Sequence, residues 1–234
     1  MKYKFLIPVI FVILSAFGIK AGEVYSLYDV VRDGRAGIYL EGRGNSVGEI
    51  FTVKYEVSEP VTIFIPAGMV FSPENTRYQK VMTDKDLKIR LEPPVGKFII
   101  TGYCLEPWLS PPPGPGDIKK ESDMPGYRVL PVLKSRDDYS SALAIIRAGR
   151  SLYKNHRLHD DLGNRHLQTV TGWAIWHSAT RHKADGWNKI RLINDITRQV
   201  QESGPNKTPA QIQELADNLW DDIKNIIIYS DYLH

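Results

Sequence analysis

The sequence predicts an α+β protein in which an N-terminal antiparallel β-sandwich of immunoglobulin-like architecture precedes a helical region of about four helices. Three observations carry this expectation. Apolar residues alternate with period two over residues 24–107, a proline- and glycine-rich break follows at 108–135, and from 136 onward the apolar residues recur every three or four positions.

The β part reads strand by strand. Phe51, Val53, Tyr55 and Val57 alternate with Thr52, Lys54 and Glu56, which gives a strand one dry and one wet face. Val61, Ile63 and Ile65 alternate with Thr62 and Phe64 before the turn Pro66-Ala67-Gly68. Leu87, Ile89 and Leu91 repeat the pattern, and Phe98, Ile100 and Cys104 share a face with Gly102. Half-buried strands of this kind hide their dry faces against a second sheet, hence the sandwich, taken as residues 22–107. No helical period is read within it.

Pro111-Pro112-Pro113-Gly114-Pro115-Gly116 lacks backbone donors at its prolines and favours an extended chain, so residues 108–135 read as a linker or a strap. The helical region then spans 136–234. Asp137 and Asp138 suit a helix start, and Tyr139, Ala142, Ile145, Ile146 and Gly149 share one face. Residues 166–180 carry Leu167, Val170, Trp173, Ala174, Ile175 and Trp176, too much apolar surface for one stripe, so this helix is expected to be largely surrounded. A third stripe runs through Trp187, Ile190, Ile193, Ile196 and Val200 and stops at Ser203-Gly204-Pro205. The last helix opens at Thr208-Pro209-Ala210-Gln211, a capping box, and carries Ile212, Leu215, Leu219, Ile223 and Ile226; Asp217, Asp221 and Asp222 read as its solvated face.

The N-terminus carries a different message. Lys2 and Lys4 precede an uncharged apolar run over residues 5–19, with Ala16, Gly18 and Ala21 behind it, the pattern of a cleavable signal peptide at 1–21. The run is short of the roughly 20 residues that cross a bilayer, so the mature protein is expected to be periplasmic, extracellular or at the cell surface, without stable membrane insertion. Of 30 Lys and Arg against 27 Asp and Glu, Lys2, Lys4 and Lys20 belong to this segment, so the remainder is formally neutral. It lacks the basic footprint of a nucleic-acid binder.

Cys104 is the only cysteine, so no intramolecular disulfide forms, and burial as a small apolar residue is its expected fate. The densest polar cluster is His156, His159, Asp160 and Asp161. Two imidazoles three residues apart share a helix face, and His156, His159 and Asp160 form a candidate metal set that could activate water for hydrolysis. The following Leu162-Gly163-Asn164 reads as a turn, which favours an exposed loop instead. No phosphate-binding loop, nucleophile elbow or cysteine pair occurs, and no cofactor is implied. Trp173, Trp176, Trp187 and Trp220 fall in the helical part and are expected in its core, while Trp108 opens the linker; a carbohydrate-stacking surface is the functional alternative.

Tyr103-Cys104-Leu105-Glu106 and Thr171-Gly172-Trp173-Ala174-Ile175-Trp176 together resemble two motifs of bacterial surface adhesin domains that form an internal Cys-Gln thioester. In that family a Tyr-Cys motif is followed by a helix beginning Thr-Gln-x-Ala and continuing Ile-Trp. Here Gly172 stands at the glutamine position, and Gln168 lies one helical turn earlier. The resemblance implies a β part followed by a helical part in an exported binding protein that has lost covalent capture. The leading expectation is therefore a non-enzymatic module with a protein or surface-ligand partner; a metal-assisted hydrolase and a covalent adhesin through Cys104 are the alternatives.

Overall fold

A computed structural model describes residues 23–117, 126–131, 134–135, 138–203 and 207–233, excepting the side chains of 199–203. The expected signal segment, Asp137, Gly204-Pro205 and the stretch 118–125 of the linker lie outside these residues. The protein is α+β, with two sheets stacked in a sandwich-like manner and helices laid on one of them.

Strands β1 (Val24–Ser26), β4 (Val61–Ile65) and β7 (Leu87–Leu91) make a three-stranded sheet in the order β1-β4-β7. The larger sheet runs β2-β3-β8-β6-β5-β9, from β2 (Gly37–Gly42), β3 (Val47–Glu56), β5 (Val70–Ser72), β6 (Val81–Thr83), β8 (Val95–Cys104) and β9 (Arg128–Val129). Its pairings are antiparallel, but β1 pairs parallel with β4. The expectation of a wholly antiparallel sandwich is corrected there. The chain leaves β1 through a short helix, α1 (Leu27–Arg32), instead of a hairpin, so no tight turn imposes the antiparallel direction. Ser26 starts α1 by accepting the Asp29 amide on its hydroxyl. The β region thus contains a helix that its periodicity did not reveal.

Register decides which core each strand residue enters. Val47, Tyr103, Met82 and Val70 lie opposite one another across β3, β8, β6 and β5, and this row faces the helices. One residue along, Cys104, Val81, Phe71 and Val129 form the next row, which faces the smaller sheet. There they join Phe51, Val53, Ile63, Ile65 and Ile100, all fully buried, each such side chain contributing roughly 1.5–3 kcal/mol by leaving water.

The helical layer consists of α2 (Ser140–Lys154), α3 (His166–Thr180), α4 (Lys189–Ser203) and α5 (Pro209–Asp231). Helix α3 touches both β3 and β8 and packs on α2 and α5, so it is enclosed as its all-round apolar surface requires. Two glycines permit the close approach. A Cβ at Gly172 would lie 2.6 Å from Val47 Cγ1, and one at Gly149 of α2 would lie 2.5 Å from Thr171 Oγ1. The capping box forms at the start of α5, where Thr208 and Gln211 exchange side-chain to backbone hydrogen bonds. In α4 the expected stripe holds at Ile193 and Ile196, which face the core with Leu192, and fails at Ile190, which is exposed in the first turn.

The prolines act as a strap. Gly44 donates to the Pro112 carbonyl, and a Cβ at Gly42 would overlap Pro113 and Pro112, so the chain is pressed against the end of β2. Ser110 pairs beside Tyr78, tying the start of the strap to the loop before β6.

Candidate functional site

The histidine cluster divides once folded. Helix α2 ends with Asn155, and His156 follows in the left-handed region at φ 53°. The amide of Arg157 reaches back to the Leu152 carbonyl, the closing bond of a helix-ending turn, so His156 occupies a position that glycine usually fills. His156, Asp160 and Asp161 all point outward as exposed residues. His159 instead turns toward α5, where its Nδ1 lies 2.9 Å from Asp222 Oδ1 and its backbone N–H donates to both Asp222 oxygens at 3.0 and 3.3 Å. The other carboxylate oxygen lies 2.7 Å from Nε2 of His166.

Asp222 is 1% exposed and His166 is wholly buried. The reading of Asp222 as part of a solvated face is therefore corrected: its carboxylate closes the loop between α2 and α3 onto α5. A second histidine in α3 and an aspartate in α5 join His159, and no sequence spacing linked them. Among the described residues, no group of three or more His, Cys, Asp or Glu is arranged to hold a metal. His177 bonds the Trp187 carbonyl through Nδ1 at 2.7 Å, and His182 is exposed.

Cys104 is fully buried in the core between the sheets, with Sγ 3.9 Å from the Asn45 carbonyl. Burial pushes its thiol well above the ordinary value, with the Glu106 charge adding to the effect. Its backbone faces the other way, and the carbonyl accepts the Trp176 indole N–H at 2.8 Å. Gly172 packs against Val47 and Tyr103 on the helical side, and the Gln168 carboxamide lies over Gly48 of β3. The thiol and Gly172 thus meet opposite faces of the large sheet.

Just beyond Cys104 the chain climbs over the ends of two helices and leaves a groove of about 410 Å³, within the range of small-ligand sites. Leu105, Ile145 and Ile175 make its apolar floor, and Trp108 stands at its edge, 53% exposed. Ser140 and Ser141 from the start of α2 and Ser178 and Arg181 from the end of α3 supply polar groups, with Asp138 on the rim. Glu106 is held in the wall: it bonds both the backbone N–H and the ammonium of Lys80, at 3.0 and 2.8 Å. Burial works against the Lys80 charge, but the hydrogen bond and attraction to Glu106 outweigh it and raise the Lys80 pKa. Burial likewise raises the neighbouring Tyr139 hydroxyl, against the opposing charge of Lys80.

Of the other tryptophans, Trp173 and Trp187 are buried as expected, and Trp176 and Trp220 are partly buried against them. Trp173 stacks on Trp187 at 5.5 Å between centroids, and Trp176 and Trp220 close around Trp187 at 6.5 and 6.3 Å. Two further concave surfaces lie on the β side. One of about 760 Å³ is floored by Tyr39, Lys54, Lys97 and Val95, and one of about 350 Å³ runs between β2 and the strap. Among the described residues, no helix is long and apolar enough to cross a membrane.

The chain matches no family model, no curated protein and no solved structure. What fold and site define is a class: a sheet with one face on a second sheet and the other under a helical layer, with a groove where β8 leaves the sheet.

Proposed function

We propose that the protein is an exported, non-enzymatic surface-interaction module, built on a plan similar to that of Cys-Gln thioester adhesin domains but binding without a covalent bond. The observation that supports this reading is the meeting of the two motif segments. Trp176 hydrogen-bonds the carbonyl of Cys104, 72 residues away in sequence, and Gly172 lies against Tyr103. Segments that match a family's paired motifs and also touch in the fold are a stronger pointer than either motif alone. The immunoglobulin-like character of the stacked sheets is part of the same proposal, as is the export signalled by residues 1–21.

Two features argue for binding without capture. Gly172 has no carboxamide to condense with a thiol, and the Cys104 thiol is directed into the core between the sheets. The test uses the secreted full chain after signal removal. Its intact mass should equal that of the unmodified sequence, its thiol should titrate only on unfolding, and it should adhere saturably to mucin-coated or matrix-protein-coated surfaces. A mass about 17 Da low, the ammonia lost in thioester formation, would establish the covalent mode instead. Absence of adherence to every surface, or a hydrolytic activity abolished by His159→Ala, would overturn the proposal.

A further inference from the structure

We propose that the groove beside Trp108 is a subsite for an acidic sugar residue, an inference that rests on the surface-interaction reading and names its ligand class. The position of Trp108 is the first reason. Trp173 and Trp187 are buried in the helical core and Trp176 and Trp220 pack half-buried against it, whereas Trp108 is 53% exposed on the wall of a concave surface. A flat aromatic ring so placed offers the C–H face of a pyranose a surface that water solvates poorly. The Lys183 ammonium sits 3.9 Å from the ring centroid and caps one face of the indole, so a sugar would meet the other face or the ring edge.

The rim is the second reason. A sugar presents hydroxyls around an apolar face, and here Ser140, Ser141 and Ser178 offer hydroxyls that donate and accept, while the Asp138 carboxylate accepts. Arg181 makes no hydrogen bond or ion pair among the described residues, whereas Glu106 is already matched by Lys80. The groove therefore retains one unmatched guanidinium able to take a carboxylate in two parallel hydrogen bonds. Asp138 has no hydrogen bond or ion pair among the described residues, and a ligand that puts its carboxylate at Arg181 and its hydroxyls at Asp138 would satisfy both. A peptide strand is a poorer fit, because the backbone along this wall is already bonded, Leu105 N–H to Lys80 and Leu109 N–H to Glu106.

The experiment titrates the full secreted chain with glucuronic acid, galacturonic acid and N-acetylneuraminic acid, and with glucose and galactose as neutral controls, by calorimetry and ligand-observed NMR. At least one acidic sugar should bind saturably in the millimolar range or tighter, about tenfold more tightly than its neutral counterpart. Trp108→Ala should weaken it roughly tenfold, and Arg181→Gln should abolish the preference for the acid while sparing neutral binding. Arg181 is exposed, so Arg181→Gln should keep the wild-type melting temperature, while Trp108→Ala, losing a half-buried ring and its Lys183 contact, should lower it by a few degrees without unfolding the protein. No saturable binding of any of these sugars up to about 50 mM, equal binding of acidic and neutral forms, or wild-type affinity in Trp108→Ala would each overturn the inference. Surface adherence that survives Trp108→Ala would locate the module's binding elsewhere, leaving the broader proposal standing; loss of adherence in the wild type would remove that proposal itself.

Discussion

Replacing Asp222 with alanine should destabilise the protein by about 3–5 kcal/mol, the range seen when one partner of a buried charged network is removed. The magnitude follows from what the carboxylate touches. Three groups converge on it: the His159 amide at 3.0 Å, His159 Nδ1 at 2.9 Å and His166 Nε2 at 2.7 Å. His166 is wholly buried and its Nδ1 has no partner among the described residues, so the variant leaves both ring nitrogens without a described partner. An unsatisfied buried polar group costs about 1–3 kcal/mol, and the tie holding the 155–165 loop to α5 is lost as well. In a chain of this length that corresponds to a fall of about 6–20 °C in melting temperature.

Urea denaturation followed by far-UV circular dichroism measures the loss directly. Asp222→Asn should cost less than alanine, since an amide keeps one acceptor and fills the space. Asp221→Ala, next along the helix but exposed and paired only with Lys224, should stay within about 0.5 kcal/mol of wild type. Equal midpoints for Asp222→Ala and Asp221→Ala would refute the buried-staple account.

Three further outcomes test separate parts of the structure. Burial raises the Cys104 thiol above 9.0 and the Tyr103 and Tyr127 hydroxyls above 10.0, so each loses its proton more readily unfolded than folded. The unfolded chain then holds fewer protons and stability falls as pH rises from about 9, by up to about 1.4 kcal/mol per pH unit per group; Cys104→Ala should move the onset toward pH 10, and an unmoved onset counts against thiol burial. Gly172→Ala should destabilise by about 1–2 kcal/mol, because overpacking against Val47 exceeds the helix propensity gained, and Gly172→Gln should be worse and show no ammonia loss by mass spectrometry. His156→Gly should stabilise by about 1 kcal/mol by relieving the left-handed backbone, a gain in thermal unfolding that a needed histidine ligand would not give.

The strands were legible because one face of each central pair is dry, and alternation survives in β3 and β4. It blurs where helices cover the second face. Val70-Phe71, Val81-Met82 and Tyr103-Cys104 are consecutive buried pairs, one member serving each core, a pattern that looks like noise until the third layer is known. Helix α1 is six residues long, too short for a period to show, and only the spacing of Ser26 and Asp29 marks it. Asp222 sits beside Ile223 at the border of the apolar stripe in α5, but the histidines that make its burial tolerable lie 56 and 63 residues away. No local pattern encodes such a partnership.

The same alternation bears on the proposed adhesin-like plan, in which binding would occur without covalent capture. Successive residues on a strand face opposite sides of the sheet, so once Tyr103 packs on α3 its neighbour Cys104 must enter the other core. Bringing the thiol to the helix would require β8 to slip by one residue against both β3 and β6, moving Ile100 and Tyr103 to the wrong sides together. That slip would disrupt two cores for one bond, and Gly172 would still offer no side-chain carboxamide for the sulfur to attack. Two independent features therefore oppose the thioester, one set by strand register and one by residue identity. Restoring glutamine at 172 changes only the second, which is why that variant is expected to lose stability without gaining the bond.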